Sequence, residues 1–452
     1  MSVQTLAVRS VRARATAFTA CGVAVFLGAT IILAFLTLLT TGLASGVSSD
    51  DRSTLTTMAS VVGGWGVVIV IFAVASTMQL AVRQRAEEFA LLRTIGTTRQ
   101  QVRRMVLGEA LLVSGAASVL ALVPGWLLGR AVLSMVREAD LVSANVRQHA
   151  GIAPFAITVV AMLIAAGVAA RFAARQVTGG SAAASLTASR VGMTRMSRRR
   201  FWLGVGLVGL GANYSVLALT MGNDSSDKFA AMSLAGPASV FWSIGLAVFS
   251  PVLLQVAARI GGAILGRGSA GQLAAIAMRR RAFELSGALM PVIVLVGICT
   301  GTLYMVGIDA AAGQLEAHDV ATDNVELLNL VVVGMVCVFA AIMVVNTLVA
   351  TIAARRREFG LQRLAGSTRE QVTSMAGIEA ALVAATGIVV GGVASLGAVI
   401  PYTVVKTSGF LPTTWPWLFP AVGVAAVVLT VGTSLVASRR VVRTPAVEAV
   451  AA

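Results

Sequence analysis

The residues best placed to do chemistry in this chain occur twice. The segment RAEEFALLRTIGTTRQQV at 85–102 matches RRREFGLQRLAGSTREQV at 355–372, and ten of the eighteen positions are identical. Glu109 and Glu379 continue the match at the same spacing of 270 residues. Self-similarity at a fixed spacing predicts a duplicated structural unit. Because charged and apolar residues recur in one pattern, we expect two equivalent surfaces for two equivalent partners.

Each repeated segment predicts two helices joined at a glycine. A short helix from residue 88 to 95 is closed by Gly96, which can adopt the left-handed conformation at a helix C-terminus. Capping boxes at Thr98–Gln101 and Thr368–Gln371 then begin a second helix. We name 85–102 the first elbow and 355–372 the second elbow. The alternative is an amphipathic helix that lies in the membrane interface with its basic face on lipid.

The sequence offers no support for enzyme chemistry. No Walker A motif is present, and no Ser/His/Asp or Cys/His arrangement is recognisable. The string Gly204-Val-Gly206-Leu-Val-Gly209 fits the dinucleotide-binding pattern, but it lies in an apolar run without a preceding strand, which favours helix packing. His149 and His318 show no metal-site spacing. We therefore predict no catalytic residue and no bound metal or cofactor.

The composition excludes a soluble globular protein. Of the 452 residues, 57% are apolar and 12% are charged, against about 45–50% and about 25% in soluble domains. A membrane-spanning helix needs roughly 20 apolar residues, so the chain has room for about ten. The three cysteines lie inside apolar runs, which argues against a disulfide framework: Cys21, Cys299 and Cys337.

Hydropathy predicts an all-α integral membrane protein with ten transmembrane helices in a 4 + 2 + 4 arrangement. The apolar runs lie near 17–41, 59–82, 106–129, 152–173, 201–220, 234–257, 287–308, 328–353, 374–402 and 417–437. The predicted domains are a first four-span repeat at 1–190, a two-span linker at 191–265 and a second four-span repeat at 266–452. Because six spans separate the starts of the two repeats, the repeats are parallel.

The basic charge predicts the orientation. If both termini are cytoplasmic, the inner segments hold 29 of the 35 Lys and Arg residues. Basic residues near spans resist translocation, so this bias favours cytoplasmic termini. The net charge of +16 then faces the cytoplasm and the anionic inner leaflet, and the prediction of a nucleic-acid partner is rejected.

Ionisable residues within spans commonly mark ion or proton paths, and the predicted span centres hold almost none. Glu109 and Glu379 lie near the cytoplasmic ends, where nearby arginines could neutralise them, and we favour an ion-pair role over gating. The predicted external loop at 309–326 carries five acids and no Lys or Arg. A solvated loop is the favoured interpretation, and electrostatic steering of a cationic substrate is the alternative.

The twice-occurring motif R-x-x-E-F-x-L-x-R-x-x-G-x-T-R, placed within a four-span unit, resembles the FtsX/MacB-type permease family of ABC transporters. The ten-span layout is similar to the bacitracin-resistance branch of that family. The chain departs from these relatives because its loops at 42–58 and 309–326 are too short for a large extracellular domain. This departure leaves the substrate and any external partner unassigned.

The resemblance implies that the elbows are coupling helices, each seated in a cleft of a separate cytoplasmic ATPase subunit. Two ATPase copies per chain would bind ATP and Mg²⁺, while this chain would bind neither and would contact the lipid bilayer. The positions matching the motif would make the contact: Glu88, Phe89, Leu91, Arg93, Gly96, Glu358, Phe359, Leu361, Arg363 and Gly366.

The function implied by the resemblance is that of a permease subunit in a bacterial plasma membrane. ATP hydrolysis by the partner would drive export or extraction of an amphipathic, lipid-like or antimicrobial substrate. One alternative is an FtsX-type regulatory complex that signals across the membrane and transports nothing. A second alternative is an ion-coupled secondary transporter, which is disfavoured because the predicted span centres hold almost no ionisable residues.

Overall fold

Helices make up all the regular secondary structure of the residues that the structure describes. A computed structural model describes residues 15–138, 140–149, 151–178, 196–221, 230–265, 269–316, 320–407, 409–410, 412 and 414–451. The helices are α1 (Ala15–Gly42), α2 (Ser49–Gln84), α3 (Ala86–Thr94), α4 (Arg99–Leu120), α5 (Leu122–Glu138), α6 (Ile152–Thr178), α7 (Arg198–Met221), α8 (Ala230–Val248), α9 (Ser250–Leu265), α10 (Ser269–Glu316), α11 (Val320–Ala354), α12 (Arg356–Leu364), α13 (Arg369–Thr407), α14 (Leu418–Arg443) and α15 (Ala446–Ala451).

The helices have the length and hydropathy of a multi-pass membrane protein. Within the described residues, eight helices are long and apolar enough to cross a membrane, or nine if the bent pair α4–α5 forms one span. The prediction of an all-α membrane fold is confirmed. The ten-span layout and its 4 + 2 + 4 grouping stay predictions.

The predicted span at 106–129 is broken in the structure. Helix α4 ends at Leu120 and α5 begins at Leu122, with a bend of 45° between them. Pro124 explains the break, because proline has no N–H to donate to the preceding turn but is tolerated within the first turn of a helix. The matching position of the second repeat is Ala394, and α13 continues unbroken through it.

Helices continue into the segments predicted as external loops. Helix α2 already begins at Ser49, α10 extends to Glu316 and α11 begins at Val320. The external position of these segments stays a prediction. Residues 317–319, which include His318, lie outside the described residues. Asp309 forms an ion pair with Lys406 of α13 at 3.4 Å. This acid is therefore part of a helix–helix contact.

The chain divides into two compact units: 1–191 with 316–334, and 192–315 with 335–452. In the first unit, α1 packs against α2, α4, α5 and α6. Gly125 of α5 lies so close to α1 that an added Cβ would be 3.0 Å from the carbonyl oxygen of Thr30. A small residue such as Gly125 allows two helix backbones to approach closely.

In the second unit, the hairpin of α7 and α8 packs against α13. Trp242 donates through Nε1 to the hydroxyl of Ser215 at 3.1 Å, and Ser215 donates to the carbonyl oxygen of Gly397 at 2.5 Å. The glycine-rich string that begins at Gly204 lies inside α7, with Gly204 against Phe249 of the α8–α9 turn. Close packing is therefore observed at Gly204, whereas an added Cβ at Gly206 or Gly209 would meet nothing within 4 Å.

Candidate functional site

Both elbows are built around a glycine in the left-handed region. Gly96 has φ of +102° and Gly366 has φ of +103°, values that side-chain-bearing residues rarely adopt. In the first elbow, the N–H of Thr97 donates to the carbonyl oxygen of Leu92 at 3.1 Å, and the N–H of Gly96 donates to that of Arg93. These two bonds form a Schellman motif, which closes α3 and reverses the chain.

The second elbow reproduces this closure bond for bond. The N–H of Ser367 donates to the carbonyl oxygen of Gln362 at 3.1 Å. The N–H of Gly366 donates to the carbonyl oxygen of Arg363, also at 3.1 Å. The predicted capping boxes are present in both elbows, with reciprocal bonds between Thr98 and Gln101 and between Thr368 and Gln371. The predicted helix–glycine–helix geometry is therefore confirmed at both sites.

A buried bridge of charged groups joins each elbow to the helix that follows it. Arg85 lies in the turn before α3 and pairs with Glu109, which is 1% exposed on α4. The contact is bidentate, and its second bond joins Nη2 to Oε1 at 3.3 Å. Arg85 also pairs with Glu88 at 3.3 Å. We name Arg85, Glu88 and Glu109 the first Arg–Glu bridge.

The second Arg–Glu bridge consists of Arg355, Glu358 and Glu379 and has the same geometry. Arg355 contacts Glu379 at 2.5 Å and 3.3 Å and Glu358 at 3.2 Å. Glu379 is 2% exposed. Since bidentate charge-assisted bonds are directional as well as strong, each bridge fixes the elbow relative to a glutamate three turns along the next helix. The favoured ion-pair role of Glu109 and Glu379 is confirmed by these contacts.

An aromatic ring packs beneath each bridge. Phe89 and Phe359 are each 1% exposed, and the guanidinium carbon of the neighbouring arginine lies 4.9 Å from the Phe89 ring centre and 5.0 Å from that of Phe359. In the second unit, Phe359 belongs to a buried cluster at the base of the elbow: Ile352, Phe359, Val372, Ala376, Ala437 and Val442. The ring therefore connects the elbow with α11, α13 and α14.

The carboxylates of the bridges offset the effect of burial on the pKa of their arginines. Burial disfavours the charged guanidinium and lowers its pKa, but the carboxylates of Glu109 and Glu88 outweigh this effect and raise the pKa of Arg85. The same balance, with Glu379 and Glu358 as the opposing charges, raises the pKa of Arg355. Both arginines stay cationic throughout the physiological pH range.

The two elbows fall within the two matches to one known family. The model of the FtsX-like permease C-terminal family matches residues 60–182 and 330–446. These ranges cover more than half of the chain, and each contains one elbow. The chain belongs to the FtsX-like permease family.

Membership of this family indicates a permease subunit of an ABC transporter, a non-catalytic membrane protein. FtsX-like permeases typically partner with a cytoplasmic ABC ATPase. A comparison with curated proteins finds no match.

The structure of this FtsX-like permease divides the predicted contact positions into three groups. Leu91 and Leu361 are 58% and 50% exposed, and the two glycines are exposed as well. The four charged positions are partly buried, and the two phenylalanines are fully buried.

Arg363 donates to the carbonyl oxygens of Val442 and Thr444 at 3.0 Å and 2.7 Å. Arg363 thereby fixes α12 to the end of α14.

The anchoring role of Arg85 and Arg355 was not predicted from the sequence, although their identity in the repeat was a signal for it. Two exposed apolar residues of the elbows were not predicted either: Ile95, at 78% exposure, and Leu364, at 56%. These residues are not identical between the repeats, so the comparison of the two segments did not select them. Together with the exposed leucines, they give each elbow an apolar tip.

The first unit contains an apolar cavity of about 280 Å³ between α1, α2 and α6. Phe35, Gly63, Gly64 and Met162 are among its lining residues, and Ser60 is its one polar lining side chain. The hydroxyl of Ser60 donates to a carbonyl of its own helix, so its hydrogen-bonding capacity is used. Gly64 is exposed, so the cavity is accessible from outside the unit.

No cluster of three or more His, Cys, Asp or Glu side chains is placed to hold a metal ion in the described part of the chain. The predicted roles of the ten elbow residues as ATPase contacts stay predictions.

Proposed function

We propose that this chain is the permease subunit of a bacterial plasma-membrane ABC exporter that binds two ATPase subunits, one at each elbow. The termini are cytoplasmic in this proposal, and ATP and Mg²⁺ bind to the ATPase partner. The substrate is an amphipathic or lipid-like molecule that is expelled or extracted from the outer leaflet.

The observation that carries the proposal is the duplication of one docking geometry. Each elbow combines a Schellman turn, a capping box, a buried Arg–Glu bridge and an exposed apolar tip. An apolar centre with a charged rim is the usual anatomy of a specific protein interface. A helix that only rests on lipid does not need a buried bidentate anchor, so this geometry favours a protein partner that exerts force.

The Arg–Glu bridges provide the path for that force. Movement of α3 relative to α4 would pull Arg85 away from Glu109, and movement of α12 would likewise separate Arg355 from Glu379. Separating a buried ion pair is costly because each charge is then left without its counter-charge. The elbow and the following helix therefore move together when the ATPase pushes on the tip.

The cavity in the first unit supports the lipid-like substrate. The cavity lies between α2 and two helices that are long and apolar enough to cross a membrane, α1 and α6, and its apolar lining accepts apolar groups. Its volume of about 280 Å³ lies near the lower end of ligand-pocket sizes. We therefore propose that it receives part of an alkyl chain.

The test of ATPase docking uses an acidic substitution at each apolar tip. Leu91→Asp and Leu361→Asp should each lower the copurifying ATPase from two copies per chain to one, and the double variant should bind none, because a carboxylate would be buried without a partner in the interface. The readout is native mass spectrometry of the complex after gentle extraction.

Ser197→Asp is the matched control, since it adds a charge at an exposed position outside the elbows and keeps a side chain that can cap α7. Two ATPase copies on the double variant would reject the elbows as docking sites. Absence of any ATPase from the native complex would favour the secondary-transporter alternative.

The cavity provides a separate prediction about the substrate. An added Cβ at Gly64 meets nothing within 4 Å, so Gly64→Leu should fold and place its side chain at the cavity. We expect ATP-driven transport of a fluorescent single-chain amphiphile in proteoliposomes to fall about tenfold, while ATPase binding is unchanged.

Gly209→Leu is the control, because Gly209 lies in a span and its Cβ position is also open. Equal transport by the two variants would reject the cavity as a substrate site. Absence of transport by the wild-type complex, with intact ATP hydrolysis, would favour the FtsX-type signalling alternative.

A further inference from the structure

The ends of α10 and α13 that lie far from the second elbow carry a cluster of polar side chains. Asp309 of α10 pairs with Lys406 of α13 at 3.4 Å, and both side chains are partly exposed. Tyr402 lies one turn before Lys406 on the same face of α13 and is completely buried. We name Asp309, Tyr402 and Lys406 the polar cluster. Since α13 begins at Arg369 and rises about 1.5 Å per residue, the cluster lies about 55 Å along the helix from the elbow.

The hydroxyl of Tyr402 lies buried beside the charged pair. It is within electrostatic range of the Asp309 carboxylate but makes no hydrogen bond of normal geometry with any residue that the structure describes. Buried polar groups are almost always hydrogen-bonded, so an unpaired hydroxyl at a fully buried position needs an explanation. A ligand group that accepts a hydrogen bond from this hydroxyl provides one.

The fold shared by the two repeats does not require polar residues at these positions of α13. At the spacing of 270 residues, Tyr402 matches Val132 of α5 and Lys406 matches Val136. Both valines are buried, so apolar side chains are sufficient for helix packing there. Ionisable residues at the membrane are costly and commonly have a function. The polar cluster therefore indicates a role other than packing.

Two tryptophans indicate the depth of the cluster in the membrane. The Trp415 ring packs over Gly307, two residues before Asp309, where an added Cβ would come within 2.9 Å of it. The ring centre of Trp417 lies 6.2 Å from that of Trp415, and Trp417 is exposed. Tryptophan is enriched at the level of the lipid headgroups. The charges of the cluster are therefore placed to meet headgroups and not alkyl chains.

We infer that the polar cluster binds the zwitterionic headgroup of the amphipathic substrate. Lys406 and Tyr402 donate hydrogen bonds to its anionic group, and Asp309 lies against its cationic group. This inference rests on the proposed function and adds the chemical class of the headgroup, which is a phosphate or similar anion linked to an ammonium group.

The ion pair explains why the ligand needs both charges. A zwitterion can separate Asp309 from Lys406 and still leave each with a counter-charge. A ligand with a single charge leaves the other member of the pair uncompensated, which is costly where water is scarce. An uncharged headgroup does not separate the pair, so the Tyr402 hydroxyl stays out of its reach. The cluster should therefore select zwitterions over cationic, anionic and uncharged headgroups.

Four fluorescent amphiphiles with the same alkyl chain test the inference, and their headgroups are phosphocholine, sulfate, trimethylammonium and maltoside. They are titrated against the full-length permease with its ATPase, in maltoside micelles free of phospholipid. We expect the Kd of the phosphocholine probe to be about tenfold lower than that of each other probe. Glycerophosphocholine, which lacks the alkyl chain, should compete weakly. If it competed as well as the probe, the site would take soluble zwitterions and the assignment to an amphiphile would be overturned.

Neutral substitutions should change the headgroup preference in opposite directions. Asp309→Asn removes the carboxylate that pairs with Lys406 and should make the sulfate probe the tightest ligand. Lys406→Gln should favour the trimethylammonium probe for the converse reason, and the double variant should bind all four probes alike. Asp50→Asn is the control, because it neutralises an exposed acid at the start of α2 and should leave the preference unchanged.

Tyr402→Phe separates headgroup binding from a structural role. The substitution removes no hydrogen bond of normal geometry to the described residues, so thermal stability should be unchanged or higher. The Kd of the phosphocholine probe should nevertheless rise about tenfold, while binding of the trimethylammonium probe stays the same. Unchanged binding of the phosphocholine probe would overturn the assignment of this hydroxyl to the headgroup site.

Two further outcomes distinguish this inference from the proposed function. Equal affinity for all four probes in a complex that retains two ATPase copies would overturn this inference alone and leave the cluster a helix–helix contact. Headgroup selectivity in a protein that binds no ATPase would overturn the proposed function, and the assignment of the ligand as a transported substrate with it.

Discussion

Glu379→Gln is expected to uncouple ATP hydrolysis from transport while the ATPase still binds. The substitution removes the main counter-charge of Arg355, which is only 14% exposed, and breaking such a buried pair costs about 3–5 kcal/mol. The exposed tip is unchanged, so docking should survive. Native mass spectrometry should still find two ATPase copies, whereas transport per ATP hydrolysed should fall about tenfold or more. Glu109→Gln should have the same effect in the first unit.

The control is the other glutamate of the same bridge. The Glu358 side chain is 25% exposed and pairs with Arg355 across one helical turn, so Glu358→Gln should have a much smaller effect. A double variant, Arg355→Met with Glu379→Met, leaves no buried charge and should recover thermal stability. If that variant coupled ATP hydrolysis to transport as well as the wild type does, the bridge would not transmit force and its role would be purely structural.

Local geometry at the elbows could be predicted from sequence because each signal lies within a few residues. The glycine, the capping box and the short helix all depend on backbone bonds between near neighbours, and two copies of the pattern reinforced the interpretation. The partnership of Arg85 with Glu109 joins residues 24 positions apart. Several arginines surround each elbow, so only the tertiary structure that brings Arg85 to Glu109 could select the correct one.

The two repeats differ in the continuity of one helix, which the duplicated pattern does not predict. Helix α4 is separated from α5 by a 45° bend, while α13 runs from Arg369 to Thr407. Pro124 follows the bend in the first repeat, and Ala394 stands at the matching position of the second. The exposure of Leu91 and the burial of Phe89 likewise depend on which face of a nine-residue helix packs inward. That choice is set by tertiary contacts, which hydropathy alone does not reveal.

Gly366→Val is expected to remove the ATPase from the second elbow, and Gly96→Val from the first. At φ of +103° a β-branched side chain is strained, at a cost of about 1–3 kcal/mol. An added Cβ meets nothing within 4 Å at either glycine, so the effect is purely conformational. The Schellman turn should open and misplace the apolar tip relative to α13. Native mass spectrometry should then find one ATPase copy per chain in place of two.

A graded series separates backbone strain from the mere presence of a side chain. Asparagine tolerates the left-handed region better than any β-branched residue, so Gly366→Asn should retain much of the ATPase binding. Gly432→Val adds the same side chain at a helical glycine whose Cβ position is also open, and it should leave two copies bound. If asparagine and valine at position 366 reduced binding equally, direct contact of the partner with the glycine, and not the turn geometry, would explain the loss.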